Sequence, residues 1–133
     1  MSNSSMQILR PVNHHVEHLT GFINEQTQDV LIVYLKVFEQ NIWHRLFLDA
    51  GVGFWHVFSE KEIVQDAEEF EDELKADFVE KYNLRNCEIL EANCQNQTHS
   101  HFKIQFHHGD FIFRYRNSED IDSQTLVEFR ETN

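Results

Sequence analysis

Val30-Leu31-Ile32-Val33-Tyr34-Leu35-Lys36-Val37-Phe38 decides the fold class. Every residue but Lys36 is apolar, and most are β-branched or aromatic, the side chains that pack well on a pleated surface. A strand that is apolar on both faces belongs inside a sheet that is covered on both sides. The stretch therefore predicts a central strand.

Working outward on the C-terminal side, Ile42–Asp49 and Val52–Phe58 flank Ala50-Gly51, which fits a two-residue hairpin turn. That register sets Phe47 opposite Phe54, Leu46 opposite Trp55, and Trp43 opposite Phe58. Both faces then carry rings, so this hairpin is also expected in the interior. Arg45 and His56 fall opposite each other on the face that Asp49 shares.

Ser59-Glu60-Lys61-Glu62 comes next, a capping-box pattern in which a hydroxyl and a carboxylate satisfy free amides at a helix start. Asp66 followed by Glu69 offers a later start. Ile63, Ala67, Phe70, Leu74 and Phe78 recur at helical spacing and predict one apolar stripe on a helix from about residue 60 to 82. Phe70, Leu74 and Phe78 are expected to be buried, and Asn83 is a fair terminator.

On the N-terminal side, Asn24–Asp29 is a polar turn, and residues 6–23 fit either period. Val16, His18, Thr20 and Phe22 alternate as in a strand, whereas Val12, Val16, Leu19 and Ile23 would line a helix. Gly21 and the β-branched content favour strand. Beyond the helix, Cys87–Gln95 and Phe102–Phe106 are expected strands. Phe111–Tyr115 returns after His108-Gly109 as a second hairpin. Asn117–Ser123 is an acidic loop, and Leu126–Arg130 a last edge strand. The sum is an α+β class: an antiparallel sheet of about five to seven strands packed against one main acidic amphipathic helix. Residues 1–133 are expected to form one domain, with residues 1–5 as a loose tail.

Composition narrows the function classes. The 133 residues carry 23 acidic and 11 basic side chains, a formal net charge of −12. Such a chain is repelled by phosphate backbones and anionic lipid, so neither direct nucleic-acid binding nor a membrane role is expected. No apolar run approaches the roughly twenty residues of a bilayer span, and Met1–Gln7 lacks the apolar centre of a signal peptide. A cytoplasmic location is expected. The sequons at Asn3 and Asn96 carry no weight in that reading. Cys87 and Cys94 would lie on opposite faces of a strand, roughly 23 Å apart, beyond disulfide reach.

Nine histidines invite a metal hypothesis. His99 and His101 share a strand face, but His107 lies about 20 Å further along, and His14 and His18 pair only on a helix. No third ligand closes a tetrahedral set, so neither metal nor cofactor is expected. There is no Gly-x-Ser-x-Gly elbow and no glycine-rich phosphate loop. The flanks of Cys87 and Cys94 hold nothing that would lower a thiol pKa. Arg45, Asp49 and His56 remain the alternative site, for a small-ligand or metal-dependent enzyme with a polar cleft.

Charge placement is the strongest anomaly. Residues 60–81 hold ten acids and three bases, so −7 of the −12 lies in this stretch. With the apolar stripe turned inward, Glu62, Glu69, Asp72, Glu73 and Glu80 point outward without i,i+4 partners. Asp77 with Lys81 and Glu71 with Lys75 do have them. In size, acidity and lack of a reaction motif the chain is similar to bacterial immunity proteins and other small inhibitors of nucleic-acid-cleaving enzymes. That resemblance is one of physical type. It implies a protein-binding module that neutralises a basic partner, such as a nuclease toxin, through those five carboxylates.

Overall fold

The computed structural model describes residues 10–95 and 99–132. Nine strands form among them, all paired antiparallel, in two sheets. The first runs β1 (Val16–Ile23), β2 (Val30–Val37), β3 (Trp43–Asp49) and β4 (Val52–Phe58) as a meander. It then gains β5 (Leu74–Asp77) beside β1, giving the order β4-β3-β2-β1-β5. The second is a meander of β6 (Glu91–Gln95), β7 (His101–Phe106), β8 (Gly109–Tyr115) and β9 (Thr125–Glu131).

The central-strand expectation for Val30–Phe38 is met: β2 is the middle strand of five, and six of its eight residues are buried. Period two then divides its side chains between two cores. Val33, Leu35 and Val37 join Val16, Leu19, Leu46 and Leu48 against Phe102, Ile104, Phe111 and Phe113 of the second sheet. Ile32 and Tyr34 face the other way, beneath the helix that succeeds β4. A buried Phe ring removes about 150–250 Å² from water, so the Phe-rich facing strands supply much of the drive for the two sheets to pack.

The first hairpin has the expected register throughout, from Trp43 opposite Phe58 to Asp49 opposite Val52. Ala50 and Gly51 adopt φ of 51° and 81°, the left-handed pair of a type I′ turn. Its expected interior position is only half right. β3 is interior, but β4 is the sheet edge, and Val52 and Phe54 are 48% and 37% exposed. In the second hairpin Phe106 pairs with Gly109, so His107 and His108 make the turn, one residue earlier than expected. Gly109 is already strand, and a Cβ there would lie 2.6 Å from Arg130 O and from the Phe129 ring, which is why the position holds glycine.

The single long helix is overturned. Residues 60–82 instead form helix α1 (Glu60–Ala67), a 3-10 turn (Glu68–Phe70), strand β5, and helix α2 (Phe78–Tyr82). The Ser59–Glu62 capping box is present and starts α1 as expected. Beyond Ala67 the chain is poorly suited to continue as helix. Glu68, Glu69, Asp72 and Glu73 set like charges four apart, and α1 ends without a basic residue to meet its negative pole. Leu74–Asp77 gains ladder bonds to Thr20–Ile23 of β1. Asp77 is not paired with Lys81; its carboxylate caps α2, accepting from the amides of Val79 and Glu80 at 3.1 and 3.2 Å. Of the three side chains expected to be buried, Phe78 is, Phe70 is half-buried, and Leu74 is 47% exposed. Asn83 ends α2 in the left-handed conformation, φ 58°. Among the described residues no helix is long and apolar enough to cross a membrane.

Candidate functional site

The outer face of the first sheet carries the chemistry that the sequence brought forward. Ser59 stops β4 and starts α1, which turns back over β3 and β2. Ile63 and Ala67 pack on Ile32, Tyr34, Trp43, Phe47 and Phe58. Polar contacts fix the helix at both ends. Trp43 donates its indole N–H to Glu60 Oε1 at 2.9 Å. Near the C-terminal end, Arg45 Nε donates to Asp66 Oδ2 at 2.7 Å, and the Tyr34 hydroxyl donates to the same oxygen. Arg45 and Asp66 keep only 14% of their side-chain exposure. The guanidinium also lies over the Phe47 and Phe58 rings, 5.1 and 5.8 Å from their centroids. Burial, with Asp66 adding to it, drives the Tyr34 hydroxyl far above its ordinary pKa, so it stays a donor.

This Tyr34–Arg45–Asp66 group was not anticipated, although a signal existed. Asp66 falls at i+3 from Ile63, inside the inward stripe, where an acid requires a partner. It also involves a residue of the alternative site. Arg45 does stand opposite His56, but it is committed to Asp66, while Asp49 is exposed at the strand end. His56 stacks between Phe54 and Phe58, at 6.2 Å from each. The three side chains do not close a cleft. An open cleft of about 280 Å³ lies elsewhere, lined by Glu17, His18, Thr20, Lys75, Asp77, Val79 and Arg85. There Glu17 is held by Lys36 and Asp77 by its cap.

The five proposed partner-binding carboxylates are not on one helix face. Glu62 lies on α1 and is engaged, accepting from the Ser59 amide at 2.8 Å. Glu80 lies on α2, beyond β5. Glu69, Asp72 and Glu73 do come together, with Glu68 and Glu71, in the tight connection between α1 and β5. Backbone bonds from Glu71 N to Glu68 O and from Glu73 N to Phe70 O hold that turn. Phe70 anchors it by stacking on Phe22 at 5.6 Å. Among the described residues these five side chains make no hydrogen bond or ion pair, nor does Glu80. Val64 (55% exposed) and Leu74 flank the turn.

The histidines are dispersed. His44 is buried in the main core, accepting from Trp55 Nε1 at 2.9 Å and facing Gln40 Oε1 at 2.8 Å. Burial, with His14 nearby, brings its pKa down to about 4. His18 stacks on Trp43, and His108 lies against Phe129. No group of three or more His, Cys, Asp or Glu among the described residues is placed to hold a metal ion. Among the described residues neither Cys87 nor Cys94 forms a disulfide, and burial raises the pKa of both. The sequons at Asn3 and Asn96 lie outside the described residues.

Comparison with known proteins returns nothing: no family model, no curated protein and no solved structure matches the chain.

Proposed function

We propose that this chain is a protein-binding module of the inhibitor or immunity type. It would engage a basic partner, such as a nucleic-acid-acting enzyme or toxin, and shield that partner's cationic site. The observation that carries the reading is the turn of residues 68–73. Five carboxylates project there without partners among the described residues, on a turn fixed to the sheet by Phe70. Clustered like charge works against folding through self-repulsion, and a cationic surface would relieve it. Val64 and Leu74 add apolar contact beside the charge, as a docking patch requires. Glu69, Asp72 and Glu73 form the centre of this surface and Glu68 and Glu71 join it, while Glu62 and Glu80 stand on the two flanking helices.

The test is affinity capture from the native cell with the parent chain and with a Glu69→Lys/Asp72→Lys/Glu73→Lys variant. The parent is expected to retain a basic protein at low salt and release it as salt rises, since exposed charges are screened beyond roughly 8 Å at physiological ionic strength. The variant is expected to fold and to retain none of it. A folded variant that captures the same protein equally well rejects the reading.

A further inference from the structure

Among the described residues the two sheets end in four strand edges, and three of them carry charge. β5 is four residues long and bears Lys75 and Asp77; β6 bears Glu91; β9 bears Glu128, Arg130 and Glu131. Short length and charge are the usual devices that keep an edge from pairing with another chain. β4 has neither. Its seven residues, Val52-Gly53-Phe54-Trp55-His56-Val57-Phe58, include no Asp, Glu, Lys, Arg or Pro. Its outer face is open at Val52, Phe54 and His56, whose neighbouring rings stack in a row.

The hydrogen-bond register of this edge is self-complementary. Asp49 and Val52 close the two-residue turn, so alternate residues from Val52 onward direct their N–H and C=O toward β3. Gly53, Trp55 and Val57 direct theirs away from the sheet. These three positions are symmetric about Trp55. An antiparallel copy that sets Trp55 against the partner's Trp55 also sets Gly53 against the partner's Val57, and every outward N–H and C=O finds a mate. Phe54 then faces the partner's His56 at a non-hydrogen-bonded position, where side chains approach most closely. That repeats between chains the Phe54–His56 stack present within one.

Electrostatics oppose this contact less than one made near the acidic turn. The net charge of −12 opposes self-association in general. The acidic turn, however, leads into β5, at the opposite edge of the same sheet. Pairing through β4 places the two acidic turns at the far ends of the assembly. We propose that β4 pairs two-fold with β4 of a second copy, joining two five-stranded sheets into one continuous sheet.

Light scattering or sedimentation of the full chain, from about 1 to 500 µM, is expected to show the mass rising toward twice that of one chain, in the range expected of a small interface. Phe54→Lys, which puts a charge on the seam, is expected to stay monomeric with an unchanged circular dichroism spectrum. Val57→Pro removes an N–H aimed away from β3 and is expected to do the same; if it fails to fold, Phe54→Lys decides alone. The register has its own test. A Phe54→Cys/His56→Cys chain is expected to form a covalent dimer on mild oxidation, while Phe54→Cys alone and the parent, with Cys87 and Cys94, are not. A parent that stays monomeric throughout, a dimer that survives Phe54→Lys, or equal cross-linking by the single cysteine variant overturns the proposal.

Discussion

Gly21 shows how one missing Cβ positions an element. It lies in β1 opposite both Val33 and Ala76, and a Cβ there would sit 2.6 Å from Phe78 Cε2 and 3.2 Å from Ile32 O. The fully buried Phe78 ring occupies that space, and with it the start of α2. Gly21→Ala is expected to destabilise the fold by about 1–3 kcal/mol through overpacking, read as a lower urea midpoint. His44 makes a second prediction at this scale. Its folded pKa, about 4, lies below the ordinary value near 6.5, so the unfolded chain takes up the proton first. The stabilisation is complete above pH 6.5 and is lost as pH falls from there to about 4, to the extent of about 3 kcal/mol. Urea melts at pH 7 and pH 4.5 should show that loss in the parent, and His44→Gln should show much less of it.

At the level of elements, α1 is held to the sheet by its apolar stripe and by the Asp66 contacts. Asp66→Ala would leave Arg45 buried without its carboxylate and Tyr34 without its acceptor, at a cost of about 3 kcal/mol. Hydrogen exchange should then quicken in residues 60–67 before it does in β2. A variant as stable and as protected as the parent would show that packing alone seats the helix. The elements that were legible in sequence have local causes: the apolar run of β2, the Ala50-Gly51 turn with its register, the Ser59–Glu62 cap. The long helix misled because Leu74 and Phe78 continue the period of Ile63, Ala67 and Phe70 while belonging to other elements. Pairing with β1, some fifty residues earlier, removes them from the helix, and no local pattern records that contact. The candidate site was legible in the same degree. The charge excess of residues 60–81 was plain, but that the five acids of residues 68–73 share one turn instead of spreading around a helix follows only from the break after Ala67. Asp66 was hidden because its partners, Tyr34 and Arg45, sit on two other strands.

Across the whole molecule, charge and topology set the behaviour. With a net charge of −12 and an acidic turn without counter-ions among the described residues, the folded chain repels itself. Raising NaCl from about 10 to 500 mM should therefore raise the melting temperature at pH 7 by screening that repulsion. The Glu69→Lys/Asp72→Lys/Glu73→Lys chain should respond less, and an equal response would place the repulsion elsewhere. The edge strand β5 has a kinetic consequence. Each sheet is otherwise a meander of neighbouring strands, whose hairpins form on a timescale of about 1–10 µs. The closest β1–β5 pair, Ile23 with Leu74, instead closes a loop of roughly fifty residues. This longest-range step of the first sheet is therefore expected to form last. Until then β1 presents an unpaired edge, and the buried site of Phe78 beside Gly21 stands empty. The interval before that closure, rather than the native state, is when this chain is most exposed to aggregation.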